Sequence, residues 1–340
     1  MNKTFKKDAF KNLTRYIEKV RRDTKASGST VVIMKDNKIV HEWYSGEHHF
    51  EQGAKKINYD SRFNVYSVRV TYVGLAIAIA INEGILNLDD RLSDYIKEYN
   101  KETLGETTIR HLLTRCTGLK FKNGNVYRTF NLGTDIEGKK PEILAEILYK
   151  VTGKTVNDIL SKRVFNPLNW TNTGWVTEGD NNLVCDIDLS KSYPILRLGS
   201  NIGDERNLYV SARELAYWGN LHLNKGVLEG RSILPQEIFE LTTSVQSPNS
   251  LPHQLPKFGF LWWVKDGDVS VSYNELGSEL PDGSYQILGA SGCSCTVIPE
   301  YNAVAVRMSN SLNAYENLGF DYIKDIQMFG NLVISSFKNS

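Results

Sequence analysis

The chain has 340 residues, more than one compact domain usually holds, so two lobes or one large domain with an insertion are expected. Lys and Arg number 40 against 39 Asp and Glu, a formal charge of +1, so no global field draws the chain to nucleic acid or anionic lipid. At 41% hydrophobic and 11% aromatic residues disorder is excluded as the main state, and the four cysteines, Cys116, Cys185, Cys293 and Cys295, are too few and scattered for a disulfide scaffold or a paired Cys-x-x-Cys zinc site.

The segment from Met1 to Asp8 is basic and no apolar run follows it, so no secretory leader is expected and the cytoplasm is the expected location. Between Asp8 and Lys25 the apolar positions Phe10, Leu13, Ile17 and Val20 recur at helical spacing. Residues 29–34 and 38–44 are β-branched and aromatic runs on either side of Asp36-Asn37, the signature of a tight antiparallel hairpin. From Ser67 to Glu83 the sequence is helix-compatible and largely apolar; its run from Val73 to Ile81 falls far short of the ~20 residues that cross a bilayer, so a buried helix and no membrane partner are expected. Helices are then expected over 91–98, 108–113, 143–151 and 156–165, and over 211–223 with Ser211 as cap. Strands follow at 259–265, 284–288, 293–299 and 303–308, and a closing helix over 317–337. This order suits an α+β fold: an antiparallel sheet unit made of residues 1–60 and 205–340, flanked by helices and interrupted by a helical lobe, residues 61–204, that carries Ser67.

Ser67 is the candidate nucleophile, a hydroxyl at the start of a buried helix where backbone N–H groups favour a developing anion. A serine in that place is most often only a cap. Its surroundings say more. The run Phe63-Asn-Val-Tyr-Ser67-Val-Arg-Val70, ending in Glu83-Gly-Ile-Leu-Asn-Leu-Asp-Asp90, closely resembles the nucleophile segment of the serine β-lactamase and penicillin-binding-protein-like hydrolases, in their class C and esterase branch. Residues 108–119 are similar to that family's "HLLTHTSGL", residues 151–173 to its "VTGK … IFxPLG … NT", Ser211 to Ala216 to its "TAxDLA", and residues 258–263 and 289–300 to its closing strands. The resemblance implies the β-lactamase/transpeptidase-like fold and an acyl-transfer site with a second oxyanion donor at the Cys293 N–H.

It also implies a lysine one turn after the serine and a tyrosine from the helical lobe, which together take the hydroxyl proton. Val70 stands at the lysine position, and the nearest basic residue, Arg69, is rotated by about 100° and stays protonated. No tyrosine occurs between positions 128 and 148, where Gly133-Thr134 is followed instead by Lys139 and Lys140. The family's third motif, a basic residue before x-Gly, reads Ala290-Ser291-Gly292.

The expected reading is therefore a degenerate member that binds a carbonyl- or carboxylate-containing small molecule, peptide or partner with little hydrolysis. The candidate site is Ser67 with Tyr66, Val70, Lys139, Lys140, Ala290, Ser291, Gly292 and Cys293. A working esterase, amidase or peptidase with Lys139, Lys140 or Tyr66 as a substitute base is the alternative, and a structural or regulatory subunit with a closed pocket is the third. Lys139 and Lys140 read first as a solvated charge pair, Cys293 and Cys295 as core or pocket lining, and His111 as structural. His48 and His49 lack the partners of a metal site, and neither a metal nor a cofactor is expected.

Overall fold

The computed structural model describes residues 8–191, 193–267 and 273–339, so all but the last residue of the basic amino-terminal segment lies outside the described residues. Helix α1, Lys11–Asp23, buries Leu13, Ile17 and Val20 along one stripe. Strands β1, Gly28–Lys35, and β2, Lys38–Gly46, form the expected hairpin. Asp36 and Asn37 turn it with φ of 50° and 63°, the left-handed pair that short polar side chains tolerate in a two-residue hairpin loop.

A short 3-10 turn, Tyr66–Arg69, leads into helix α2, Val70–Asn82, whose residues are buried on every side as far as Ala80. Helix α3, Pro141–Thr152, comes next, and helix α4, Ala212–Leu223, follows with the Ser211 hydroxyl accepting from the Glu214 N–H at 3.3 Å. Strands β3 (Lys257–Phe258), β4 (Trp263–Val264), β5 (Tyr285–Leu288), β6 (Ser294–Ile298) and β7 (Ala303–Ser309) come next, and helix α5, Tyr322–Lys338, closes the chain.

The strands assemble into one seven-stranded antiparallel sheet in the order β3-β4-β5-β6-β7-β1-β2. The two ends of the sequence meet where β1 pairs with β7, Val32 opposite Val306. Every residue of β6 and β7 is buried, because α4 covers one face of the sheet while α1 and α5 cover the other. Strands enclosed on both faces read as continuous apolar runs rather than as alternation.

Some elements depart from their expected bounds. The strand expected over 259–265 is broken between β3 and β4, where Leu261 sits at φ 65° and donates its N–H to Leu113 O at 3.0 Å. Phe260 and Trp262 are thereby buried completely, so core packing overrides β-propensity. The closing helix starts at Tyr322, because Asp321 caps it and Gly319, at φ 64°, ends a separate short helix over Ala314–Leu318. The helix expected over 91–98 shrinks to Leu92–Tyr95, and that over 156–165 ends in a π turn, Ser161–Phe165. Leu119–Lys122 and Asn125–Arg128 form a further hairpin, and Leu208–Ser211 pairs with both Arg62–Asn64 and Thr173–Trp175 in a three-stranded sheet.

Candidate active site

The strand Arg62–Asn64 delivers the chain to the serine turn. Tyr66, just before Ser67, takes φ 47°, a conformation that costs a bulky L-residue roughly 1–3 kcal/mol and persists only where the surroundings impose it. Two contacts do so: the Tyr66 N–H donates to Asn64 Oδ1 at 3.0 Å, and its hydroxyl donates to Asp186 Oδ2 at 2.6 Å. Burial pushes the Asp186 carboxyl up to about 7, and burial with the nearby Asp186 charge pushes the Tyr66 hydroxyl above its ordinary value. Tyr66 is thus a locked hydrogen-bond donor, which removes it from the candidate bases.

Opposite the serine turn runs the segment 289–293. A Cβ at Gly289 would lie 2.3 Å from Val65 O, so only glycine allows this approach. The Ser291 hydroxyl donates to Asn64 O at 3.1 Å, and Gly292 O accepts from Arg307 Nε at 3.1 Å. Arg307 is itself held by two buried hydrogen bonds, 2.9 and 2.8 Å, to the Asp325 carboxylate. The Cys293 side chain turns into the core, its thiol pushed up to about 11 by burial and directed at Ser309 O, 3.3 Å away. Only its backbone is left for the site. Among the described residues neither the Ser67 nor the Cys293 N–H meets a hydrogen-bond acceptor, which leaves two donors available to an incoming carbonyl oxygen.

Two cavities meet at Ser67. One, of about 590 Å³, runs along residues 288–292 and is lined by Ser67, Lys139, Glu275, Ala290, Ser291 and Gly292 among others. The second, of about 610 Å³, lies on the lobe side, where Ser67, Val70 and Lys139 share its wall with arginines. Ser67 therefore borders open space on both sides. Val70 is fully buried and contributes no proton acceptor, and among the described residues the Ser67 hydroxyl has no hydrogen-bond partner.

The two lysines separate. Lys139 faces both cavities, and its ammonium is pushed down to about 8 by burial and by the Arg115 charge, against the opposing pull of Glu275. Lys140 turns away from the lining and pairs with Glu137 at 2.6 Å. Neither is the solvated charge expected from the sequence, and Lys140 drops out of the site because its ion pair is satisfied elsewhere.

Other singled-out residues are structural. His48 is buried with its ring nitrogens 2.8 Å from Ser61 Oγ and 3.1 Å from Leu183 O, and His111 Nδ1 accepts from the Thr108 N–H at the start of its helix. Cys295 is fully buried, and among the described residues no cluster of His, Cys, Asp or Glu could hold a metal ion. No described helix is long and apolar enough to cross a membrane. Arg197, Arg206, Arg115, Glu275 and Asp186 were missed because each reaches the site from a segment distant in sequence, and no local spacing marks them.

An α+β fold with a serine turn packed against the connection between two inner strands of the sheet, and a cleft between them, is the framework of acyl-transfer hydrolases. The chain belongs to the Beta-lactamase family, whose sequence model matches residues 13–132 and 141–327. The unmatched residues 133–140 are the stretch that holds Lys139 and lacks the tyrosine. An uncharacterized protein of Alkalihalophilus pseudofirmus, BpOF4_21049, is 39% identical over 328 residues, 96% of each chain. Among solved structures, a class C β-lactamase superposes with a TM-score of 0.77 at 14% identity, covering 96% of each chain. EstCE1, described as a hydrolase with promiscuous acyltransferase activity, gives 0.72 at 17% identity over 94% of this chain and 98% of its own.

Proposed function

We propose that this protein binds a carbonyl- or carboxylate-containing small molecule or peptide in a serine-hydrolase framework that has lost its proton-transfer machinery. The observation that carries the reading is the state of Ser67: it faces open cavities beside two free N–H donors, yet no base hydrogen-bonds its hydroxyl and Val70 stands one turn on. An unassisted serine hydroxyl is a poor nucleophile at neutral pH, and the missing general base forfeits about 10²- to 10⁴-fold in rate. The site thus favours retention of a polarised carbonyl over its cleavage. The free cysteines support a reducing, cytoplasmic setting, and the ligand lies between the sheet unit, residues 1–60 and 205–340, and the lobe of residues 61–204.

A second reading is favoured by Lys139, whose amine, held near 8, is partly neutral at physiological pH and shares both cavities with Ser67. In it Lys139 accepts the Ser67 proton and the protein is a slow esterase or amidase. Incubation with an activated phosphonate, a penicillin and an unactivated amide, followed by intact mass, separates the two. Binding without hydrolysis gives no Ser67-dependent acylation by the penicillin or amide, at most slow phosphonate labelling, and little gain from Val70→Lys. Rapid acylation abolished by both Ser67→Ala and Lys139→Met, and rising with pH through about 8, establishes the hydrolase instead.

A further inference from the structure

The lobe-side cavity has an electrostatic character that the acyl-transfer framework does not require. Five cations line it, Arg69, Arg115, Lys139, Arg197 and Arg206, against three carboxylates, Glu142, Asp204 and Glu205. None of the five cations forms an ion pair among the described residues. Two of the carboxylates are engaged locally: Glu205 Oε1 accepts from the Ser200 N–H at 3.2 Å, and Asp204 Oδ1 from the Ser200 hydroxyl at 3.4 Å.

Arg69 is the most telling member. It is 5% exposed, its Nε is buried with no partner, and its terminal nitrogens reach only the carbonyls of Tyr66 and Asp204, both at 3.4 Å. Burial and the neighbouring Arg206 charge push it down to about 10. Glu142 and Asp204 lie near enough to favour its charge but form no ion pair with it, and a guanidinium enclosed this deeply is costly unless something negative completes it. Arg115 and Arg197 are instead placed by neutral groups: Arg115 Nε donates to Glu137 O at 2.7 Å with its guanidinium 4.7 Å from the Phe258 ring, and Arg197 Nε donates to the Tyr66 hydroxyl at 3.4 Å. Glu275 acts on Arg115 and Asp186 on Arg197 from beyond ion-pair distance, so neither guanidinium is paired. Planar guanidinium forks converging on one space match the oxygens of a carboxylate or phosphate.

We propose that this cavity is an anion subsite, which takes a carboxylate or phosphate group of the ligand whose carbonyl lies at Ser67. The proposal deepens the binding reading above and rests on it for the position of the carbonyl; the anion site itself stands on the arginines. The ligand class is then an acyl compound carrying a negative charge on the side of the serine that faces the lobe.

The test is calorimetric titration of the intact protein at low salt with glutarate, inorganic phosphate and, as the neutral control, glutaramide. Saturable binding of glutarate or phosphate is expected, with glutaramide at least about tenfold weaker. Arg69→Gln should weaken the anion about tenfold or more, and Arg197→Gln and Arg206→Gln severalfold each. These two keep the test decisive if the Arg69 variant does not fold. A preference for one anion tells carboxylate from phosphate. Anions that bind no tighter than glutaramide, or equally well to wild type and to Arg197→Gln and Arg206→Gln, overturn the subsite. Rapid Ser67 acylation would end the non-hydrolytic reading without touching the subsite, and absent anion binding would end the subsite alone.

Discussion

The two walls of the cleft have very different origins. The sheet-side wall, residues 289–293 against 64–67, is held by backbone approach, by the Ser291 to Asn64 bond and by the buried Arg307–Asp325 pair beneath Gly292. The lobe-side wall, residues 133–140 with the arginines, is a loop whose contribution is side-chain chemistry: Lys139 in the cavity, Lys140 on Glu137, and no tyrosine. The first wall is part of the core, so altering it undoes the fold. The second is a surface connection, free to exchange one proton-handling group for another while the core stays intact. The packing of the framework and the side chains that line its cleft thus depend on separate residues.

Four measurements test that contrast. Asp325→Ala leaves the Arg307 charge buried and unpaired beneath the sheet-side wall, and should lower stability in denaturant unfolding by about 3–5 kcal/mol. A loss under about 1 kcal/mol would mean that the pair does not support the wall.

Lys139 should act in the opposite sense. Its folded value of about 8 lies below the ordinary ~10.4 of an unfolded lysine, so the unfolded chain binds more protons between those values and stability rises with pH across that window. At pH 7 the half-buried ammonium is a penalty, and Lys139→Met should stabilise the protein by on the order of 1–2 kcal/mol and remove its share of the rise. Unfolding curves at pH 7 and pH 10 for both proteins measure this. An unchanged pH slope in the variant would place the Lys139 amine in solvent.

Gly289→Ala forces a methyl into the space of Val65 O, and the overpacking should cost about 1–3 kcal/mol while loosening ligand retention. A fully stable variant with wild-type binding would show that the two segments need not approach so closely. The smallest effect is expected from His111→Ala. This removes the contacts of His111 Nδ1 with the Thr108 N–H and hydroxyl at a helix start, about 0.5–1.5 kcal/mol, and should leave binding at Ser67 unaltered. Any change in ligand affinity there would connect the helix start to the cleft.

Much of the fold was legible in the chain because it rests on local chemistry: the Asp36-Asn37 turn, the Ser211 cap, the apolar runs of β6 and β7 and the uninterrupted α2 each carry their own signal. That no lysine follows Ser67 by one helical turn was legible as well, since the face of a helix follows from its period and Val70 stands there. What only the tertiary structure decided is where charges from distant segments converge. It set Lys139 apart from Lys140, turned the Tyr66 hydroxyl onto Asp186, sank the Cys293 thiol into the core and gathered Arg69, Arg115, Arg197 and Arg206 around one space. Hydrogen bonding and ion pairing fall off within a few ångströms, and residues well over a hundred positions apart reach that distance only once the sheet and lobe have packed.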